Sequence, residues 1–389
     1  MKQLKKIHIP DFGHNNISVF SGAGGLDVGL HEAGWDTVAF IEKDSDCIAT
    51  IQENKDKYSK TRTPLIFEDV NDFTEDNLQT IQERTYSQEF GKINLVSGGT
   101  PCQPFSTAGK RKGLGDPRGL LFYKFANIIK MAMPRFFILE NVRGFTSAAL
   151  PNDRPGSVLK RVVYPTFQSM GYELAAGLLN ARNYGIAQDR TRFILIGSLE
   201  HEFGCYPTIM PTEELVVPLT TEWLTLKDVI SEEHLRYSGV GWNPEIKKEY
   251  IPYSAKRAEV YQQIPAGKNW RYFDDEEYVE SIMGGAYKST GGRVGFWRRL
   301  SWDKWAPTLT TSPVQKATGF CHPDEVRPLT VQEYQLLQGF SKFHTFCGST
   351  ASKYRQIGNA VPVGLGKAIG HTLLQIVDEQ YLREEERKG

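Results

Sequence analysis

The sequence predicts an α/β fold built on a parallel sheet, joined to a smaller, irregular, β-rich unit. Three observations carry this. Short apolar runs alternate with helical stretches up to about residue 199, the pattern of strand–helix–strand units. Glycines or acids stand at the end of each apolar run, where ligands bind in such folds. Beyond Cys205 the chain turns to prolines, aromatics and turn residues, and amphipathic helices return only near Thr330.

The elements follow in order. Ile17–Phe20 reads as a first strand, and SGAGGLDVGLHEAGW opens a helix through Gly22, Gly24 and Gly25. Glycines there let a backbone approach a ligand beside a helix N-terminus, although a tight strand-to-helix turn explains them equally well. Val38–Ile41 is a second strand ending at Glu42, and Leu65–Phe67 a third ending at Glu68 and Asp69. An acid about 20 residues past the glycines suits ribose hydroxyls. Taken together, the glycine turn, Glu42 and Asp69 favour an adenosine-containing ligand. Ile93–Val96 is a fourth strand, followed by Gly98-Gly99-Thr100-Pro101-Cys102-Gln103-Pro104-Phe105-Ser106. Prolines on both sides of Cys102 stiffen the loop that carries its thiol.

Next comes a glycine-rich stretch with Lys110, Arg111, Lys112 and Arg118, suited to a cationic loop over a polyanion. Leu120–Met133 has helical periodicity and stops at Pro134, and Phe136–Leu139 is a strand running into Glu140 and Asn141. Residues 158–170 read as a helix and Tyr172–Leu179 as a strand. Gln188, Arg190 and Arg192 alternate, so one face of an extended strand would carry all three. Two guanidinium groups on one face suit a carboxylate, a phosphate or a base oxygen. Around Arg293, Arg298, Arg299 and Lys304 the chain is basic, glycine-rich and aromatic. Thr330 and Glu333 predict a capping box at a helix start. QIGNAVPVG predicts a Gly-Asn turn before an amphipathic helix.

The totals set bounds. The chain has 389 residues and a formal net charge of +0, so any basic surface must be local. No apolar run approaches the ~20 residues of a membrane span. The basic N-terminus lacks the apolar core of a signal peptide, so a cytoplasmic location is expected. Five scattered cysteines without a CxxC pair predict neither a disulfide framework nor a metal site.

In this order the blocks FSGAGG, GGTPCQPFS, ENVRGF, QDRTRF, RPLTVQEYQLLQGF and QIGNAVPVG resemble the cytosine-C5 DNA methyltransferase family, in particular the methylases of bacterial type II restriction-modification systems. The resemblance spans residues 17–370 and leaves the middle of the chain unmatched. One departure stands out: many members carry an acid two residues before the Phe of the first block, and this chain has Ser18.

The resemblance implies a Rossmann-like S-adenosylmethionine-dependent methyltransferase domain with a smaller target-recognition domain. The expected division is 1–205 for catalysis and cofactor, 206–325 for target recognition, and 326–389 as a hinge and helix returning to the first unit. It implies Cys102 as the nucleophile that adds to cytosine C6, Glu140 at N3, Arg192 at O2, and Arg190 supporting them. Phe20, Gly22, Gly24, Gly25, Glu42, Lys43, Asp69, Val70, Gly98, Pro101, Leu121 and Asn359 would bind the cofactor, which leaves as S-adenosylhomocysteine. Gln103, Ser106, Lys110, Arg111, Lys112, Arg299 and Thr308 or Thr310 would meet double-stranded DNA around a flipped base. A monomer without a membrane partner is expected. A cognate restriction endonuclease would be a functional partner without a stable complex. Two rivals remain on the sequence alone: a tRNA cytosine-5 methyltransferase of the same fold, and a nucleotide-dependent oxidoreductase with a catalytic cysteine.

Overall fold

The computed structural model describes residues 14–60, 63–85, 93–100, 120–199, 222–232, 249–288 and 295–388. Seven strands share one sheet: β1 (Asn15–Val19), β2 (Asp36–Ile41), β3 (Leu65–Phe67), β4 (Leu95–Gly99), β5 (Phe136–Val142), β6 (Tyr172–Asn180) and β8 (Thr191–Leu199), with the two-residue β7 (Gln188–Asp189) just before β8. Their order is β3-β2-β1-β4-β5-β8-β6. The first five run parallel, and β8 is antiparallel to both β5 and β6. The chain steps outward from β1 to β3, then returns to lay β4 on the other side of β1. That reversal opens a crevice beyond the carboxyl ends of β1 and β4.

Alternation along the strands builds three layers. Phe137 and Leu139 of β5 join Ile17, Val19 and Val96 in a core with Phe122 and Phe125 of α4 (Leu120–Ala132). Phe136 and Ile138 face the other way, onto Leu26 and Leu30 of α1 (Gly25–Ala33) and Leu365 and Ile369 of the last helix. Among the described residues this part also holds the α-helices α2 (Ser45–Glu53), α3 (Glu75–Thr85) and α5 (Tyr164–Gln168). The helix expected over 158–170 divides into a wide π turn, Leu159–Val163, and α5. Pro165 lacks an N–H and its ring crowds the carbonyl four residues back, so a regular α turn fails there.

Beyond residue 222 the chain forms α6 (Lys227–Ile230), α7 (Ala255–Gln262), α8 (Glu276–Met283), α9 (Val331–Leu337), α10 (Thr350–Asn359) and α11 (Val363–Lys388). Among the described residues of the middle region there are three two-residue strands: β9 (Arg298–Arg299), β10 (Ala306–Pro307) and β11 (Phe320–Cys321). β9 pairs with β11, and β10 with β7. Val260, Tyr261, Ile264 and Cys321 make a small core of their own. The capping box at α9 forms as its sequence predicts: Glu333 N donates to Thr330 Oγ1 at 3.1 Å and Thr330 N to Glu333 Oε2 at 2.8 Å.

The predicted Gly-Asn turn is corrected. Gly358 and Asn359 are the last residues of α10, and the turn is Ala360 to Pro362. Val361 precedes a proline, which steers it out of the helical region and ends α10 there. α11 then packs against α1 at close range: a Cβ on Gly29 would stand 2.3 Å from the Val363 carbonyl oxygen. Trp35 Nε1 donates to Gly370 O across this contact at 3.1 Å. Thr350–Val377 is long and apolar enough to span a membrane by length and composition alone, but 72% of its apolar 18-residue window is buried inside the protein.

Candidate active site

The turn after β1 is built from left-handed residues. Phe20 and Gly22 lie at φ 56° and Gly24 at φ 73°. A bulky side chain is costly in that region and persists only where its surroundings hold it. Phe20 N donates to Ile41 O at 2.9 Å, and Glu42 secures the turn from the end of β2. Glu42 Oε2 accepts from Gly22 N at 2.7 Å, and Oε1 accepts from Lys43 N and Asp44 N, both at 2.8 Å. Burial pushes the Glu42 carboxyl above its ordinary range, and these N–H donors oppose the shift. The three expected glycines differ in role. Gly22 has open space where a Cβ would stand, whereas Gly24 abuts the Tyr58 ring and Gly25 abuts Val361 O. Gly24 and Gly25 are not among the residues lining the neighbouring cavity, and neither position has room for a side chain.

A cavity of about 540 Å³ opens at the switch point. It brings together Phe20, Gly22, Glu42, Lys43, Asp69, Val70, Gly98, Leu121, Asn359, Glu140, Arg190 and Arg192, residues that the sequence scatters over more than three hundred positions. At its outer end Asp69 Oδ2 accepts from Lys43 Nζ at 2.7 Å, while Asn71 N and Nδ2 hold Oδ1. The Lys43 hydrogen bond keeps the Asp69 carboxyl below its usual value.

At the other end Glu140 Oε1 lies 2.8 Å from Arg192 Nε, with both side chains about nine-tenths buried. Register explains the meeting. Val142 lies opposite Arg192 and Glu140 opposite Ile194 across β5 and β8, so Glu140 and Arg192 are diagonal neighbours on one face. Gly99 makes room for this pair: a Cβ there would stand 2.7 Å from Glu140 Oε2. Burial raises the Glu140 carboxyl above its ordinary value, while Arg192 and Arg190 pull it back. Such a group gives up or accepts a proton nearer neutrality than a surface glutamate.

Asn141 follows and holds the neighbouring strand end. Its Nδ2 donates to Thr100 O and to Thr100 Oγ1, both at 3.1 Å, and its Oδ1 accepts from Val142 N at 2.9 Å. Thr100 is the last described residue before the cysteine loop. Pro101, Cys102, Gln103, Ser106, Lys110, Arg111 and Lys112 lie outside the described residues.

The expected common face of Gln188, Arg190 and Arg192 is corrected. The extended run breaks at Arg190, between β7 and β8. Gln188 Nε2 donates to Gln338 Oε1 at 2.6 Å, and its Oε1 accepts from Leu309 N at 3.0 Å. Arg190 is fully buried and donates to Leu309 O, Gly358 O and Ala360 O. It ties the last turn of α10 to the β10 segment and acts on Glu140 through its charge, whereas Arg192 makes the ion pair. Arg299, expected at the DNA, has a guanidinium that donates to the carbonyls of Pro323, Tyr261, Ile264 and Asp324 at 2.8–3.2 Å. Thr308 is exposed and donates to Asp189 O, and half-buried Thr310 donates to Ser312 O.

Asp27 and Arg355 also line the cavity and were not anticipated. Arg355 Nη2 bonds Asp44 Oδ2 at 3.1 Å, a pairing over 311 positions that no local pattern announces. Asp27 did leave a signal: an acid among the apolar positions of the first helix.

Residues 14–375 match the model of the C-5 cytosine-specific DNA methylases. The chain is 37% identical to the type II methyltransferase M.Sau96I of Staphylococcus aureus, covering 94% of this chain and 77% of that protein. It is 34% identical to M.PspPI of Psychrobacter sp. strain TA137, over 95% and 81%. Among solved structures, Dnmt2 of S. pombe matches with TM-score 0.59 at 16% identity, covering 94% of this chain and 99% of that one. The Entamoeba histolytica methyltransferase EhMeth matches with TM-score 0.59 at 15% identity, over 93% and 98%. A Rossmann-like sheet with its cavity at the switch point and a family match over nearly the whole chain lead to one assignment: the protein belongs to the C-5 cytosine-specific DNA methylases and is a DNA (cytosine-5) methyltransferase.

Proposed function

We propose that this enzyme methylates C5 of a flipped cytosine in a specific duplex sequence, with S-adenosylmethionine as donor and Cys102 as nucleophile. The observation that carries the reading is the buried Glu140–Arg192 pair at the strand end beside Thr100, two residues before Cys102. The cavity suits the donor. Acids at the ends of β2 and β3 can accept from ribose hydroxyls and an adenine amino group, and Gly22 leaves open space for an approaching ligand. Phe20, Glu42, Asp69, Val70 and Leu121 would hold it. Once bound, the donor supplies a methyl group activated by its sulfonium.

Cytosine C5 is a poor nucleophile. Addition of the Cys102 thiolate to C6 turns the ring into an enamine whose nucleophilic carbon is C5. Electron density moves toward N3 and O2, where Glu140 as an acid and Arg192 as a cation stabilise it. A base then removes the C5 proton, and Cys102 leaves by elimination. Inside a duplex C6 is beyond reach of a thiol, so the base must be extruded. The basic loop after Ser106 would follow the DNA backbone.

Residues 206–325 would read the target, with 1–205 and 326–389 forming the catalytic unit. The separate core around Tyr261 supports that division. Kinship with type II methyltransferases supports a role in protecting host DNA from a restriction endonuclease; the enzyme would act as a cytoplasmic monomer. Bisulfite sequencing of DNA from cells expressing the protein tests the reading. One fully protected sequence context is expected, and unmodified DNA from cells holding active enzyme would overturn it.

A further inference from the structure

Asp27 lies in the first turn of α1 and is 1% exposed. Its Oδ1 accepts from Asn16 Nδ2 at 3.1 Å and Thr37 Oγ1 at 3.2 Å, and its Oδ2 accepts from Ser18 Oγ at 2.9 Å. These donors are neutral, and among the described residues no cationic side chain pairs with Asp27. A buried carboxylate without a cation is costly. A brace between α1, β1 and β2 needs only an amide or a hydroxyl. Yet this carboxylate borders the cavity.

Its place is informative. The strand order sets Asp69, Glu42, the Phe20 turn, Gly98 and Glu140 in a row along the sheet edge. Asp27 stands at the Phe20 turn, between the acids suited to a nucleoside and the pair suited to the base. Ser18, the residue that replaces an acid common at this position in the family, is the one that donates to Asp27 Oδ2. A carboxylate on residue 18 and one on residue 27 would place negative charge at nearly the same point.

We propose that Asp27 is the counter-ion for the ammonium group of the donor's amino-acid tail. The proposal rests on the S-adenosylmethionine reading above. That tail carries the donor's one cation with N–H groups, and the carboxylate is a positioning residue for it.

Calorimetry on the full chain tests this with two probes. S-adenosylhomocysteine carries the tail, and 5′-methylthioadenosine keeps the nucleoside and sulfur without it. Asp27→Asn should weaken S-adenosylhomocysteine about tenfold or more, the scale of a lost charge-assisted hydrogen bond. It should leave 5′-methylthioadenosine within about twofold. Equal loss on both probes, or on neither, would overturn the proposal. Should wild-type protein bind neither probe, the donor reading itself fails. Should Asp27→Asn not fold, the paired change Ser18→Asp with Asp27→Ser carries the test. It should restore the preference for S-adenosylhomocysteine, and equal affinity for both probes would overturn the proposal.

Discussion

Replacing Arg192 by leucine strands the Glu140 carboxyl in a site where only about a tenth of its side chain meets solvent. Breaking a buried pair from one side costs about 3–5 kcal/mol when the remaining group stays charged. Glu140 has an escape, because burial already lifts its pKa: it can take a proton, at about 1.36 kcal/mol for each pH unit above that pKa. The sign follows. A carboxyl whose folded pKa is raised contributes stability below its unfolded value and loses it as pH climbs through the folded one. The Arg192→Leu protein is therefore expected to lose about 3 kcal/mol at about pH 8.5, and clearly less at about pH 5.5. Adding Glu140→Gln should recover most of the loss, since no charge is then stranded. Urea unfolding of wild type, both single variants and the double variant across this range measures the cycle. A loss independent of pH, or strictly additive effects, would refute the reasoning.

Three further outcomes are expected. Asn141→Ala removes both side-chain bonds to Thr100, so turnover should fall more than tenfold by the scale of mispositioned catalytic groups, with donor affinity unchanged; a pure affinity loss would contradict the placement. Asp27 has its pKa raised from 3.8 to about 6 by burial, so its contribution to stability is present below about pH 4 and lost as pH rises through about 6. The ligand-free wild type should thus lose on the order of 3 kcal/mol relative to Asp27→Asn over that window, read from denaturant midpoints; parallel curves would contradict it. Arg299→Met should destabilise the fold by about 1–3 kcal/mol while the salt slope of DNA binding stays unchanged; a slope smaller by about one would place Arg299 on the DNA surface.

Much of the fold was legible because its signals are local. Thr330 and Glu333 state a helix start by themselves, and apolar runs closed by Glu42, Asp69 and Glu140 mark strand ends facing one crevice. What stayed hidden depends on distant partners. Nothing near Arg299 tells that four carbonyls wait for it, and nothing in QDRTRF tells that Arg190 leaves the strand to hold Gly358 and Ala360. Alternation predicts a shared face only while the strand continues, and it stops at Arg190. Gly358 and Asn359 look like turn residues, but a proline two positions beyond Ala360 sets the break later. Gly25 looks like a ligand glycine, and its need is packing against Val361. Asp27 reads as helix polarity until Ser18, nine residues away, is seen to donate to it.

The central claim is covalent C5 methylation of DNA, and nucleoside analysis tests it most directly. The enzyme is incubated with isotopically labelled S-adenosylmethionine and either bacterial genomic DNA or tRNA, and the products are digested and resolved by mass spectrometry. Label in 5-methyldeoxycytidine, lost in Cys102→Ser, is the predicted result. Label in an N-methylated base, in tRNA alone, or undiminished in Cys102→Ser would contradict the account.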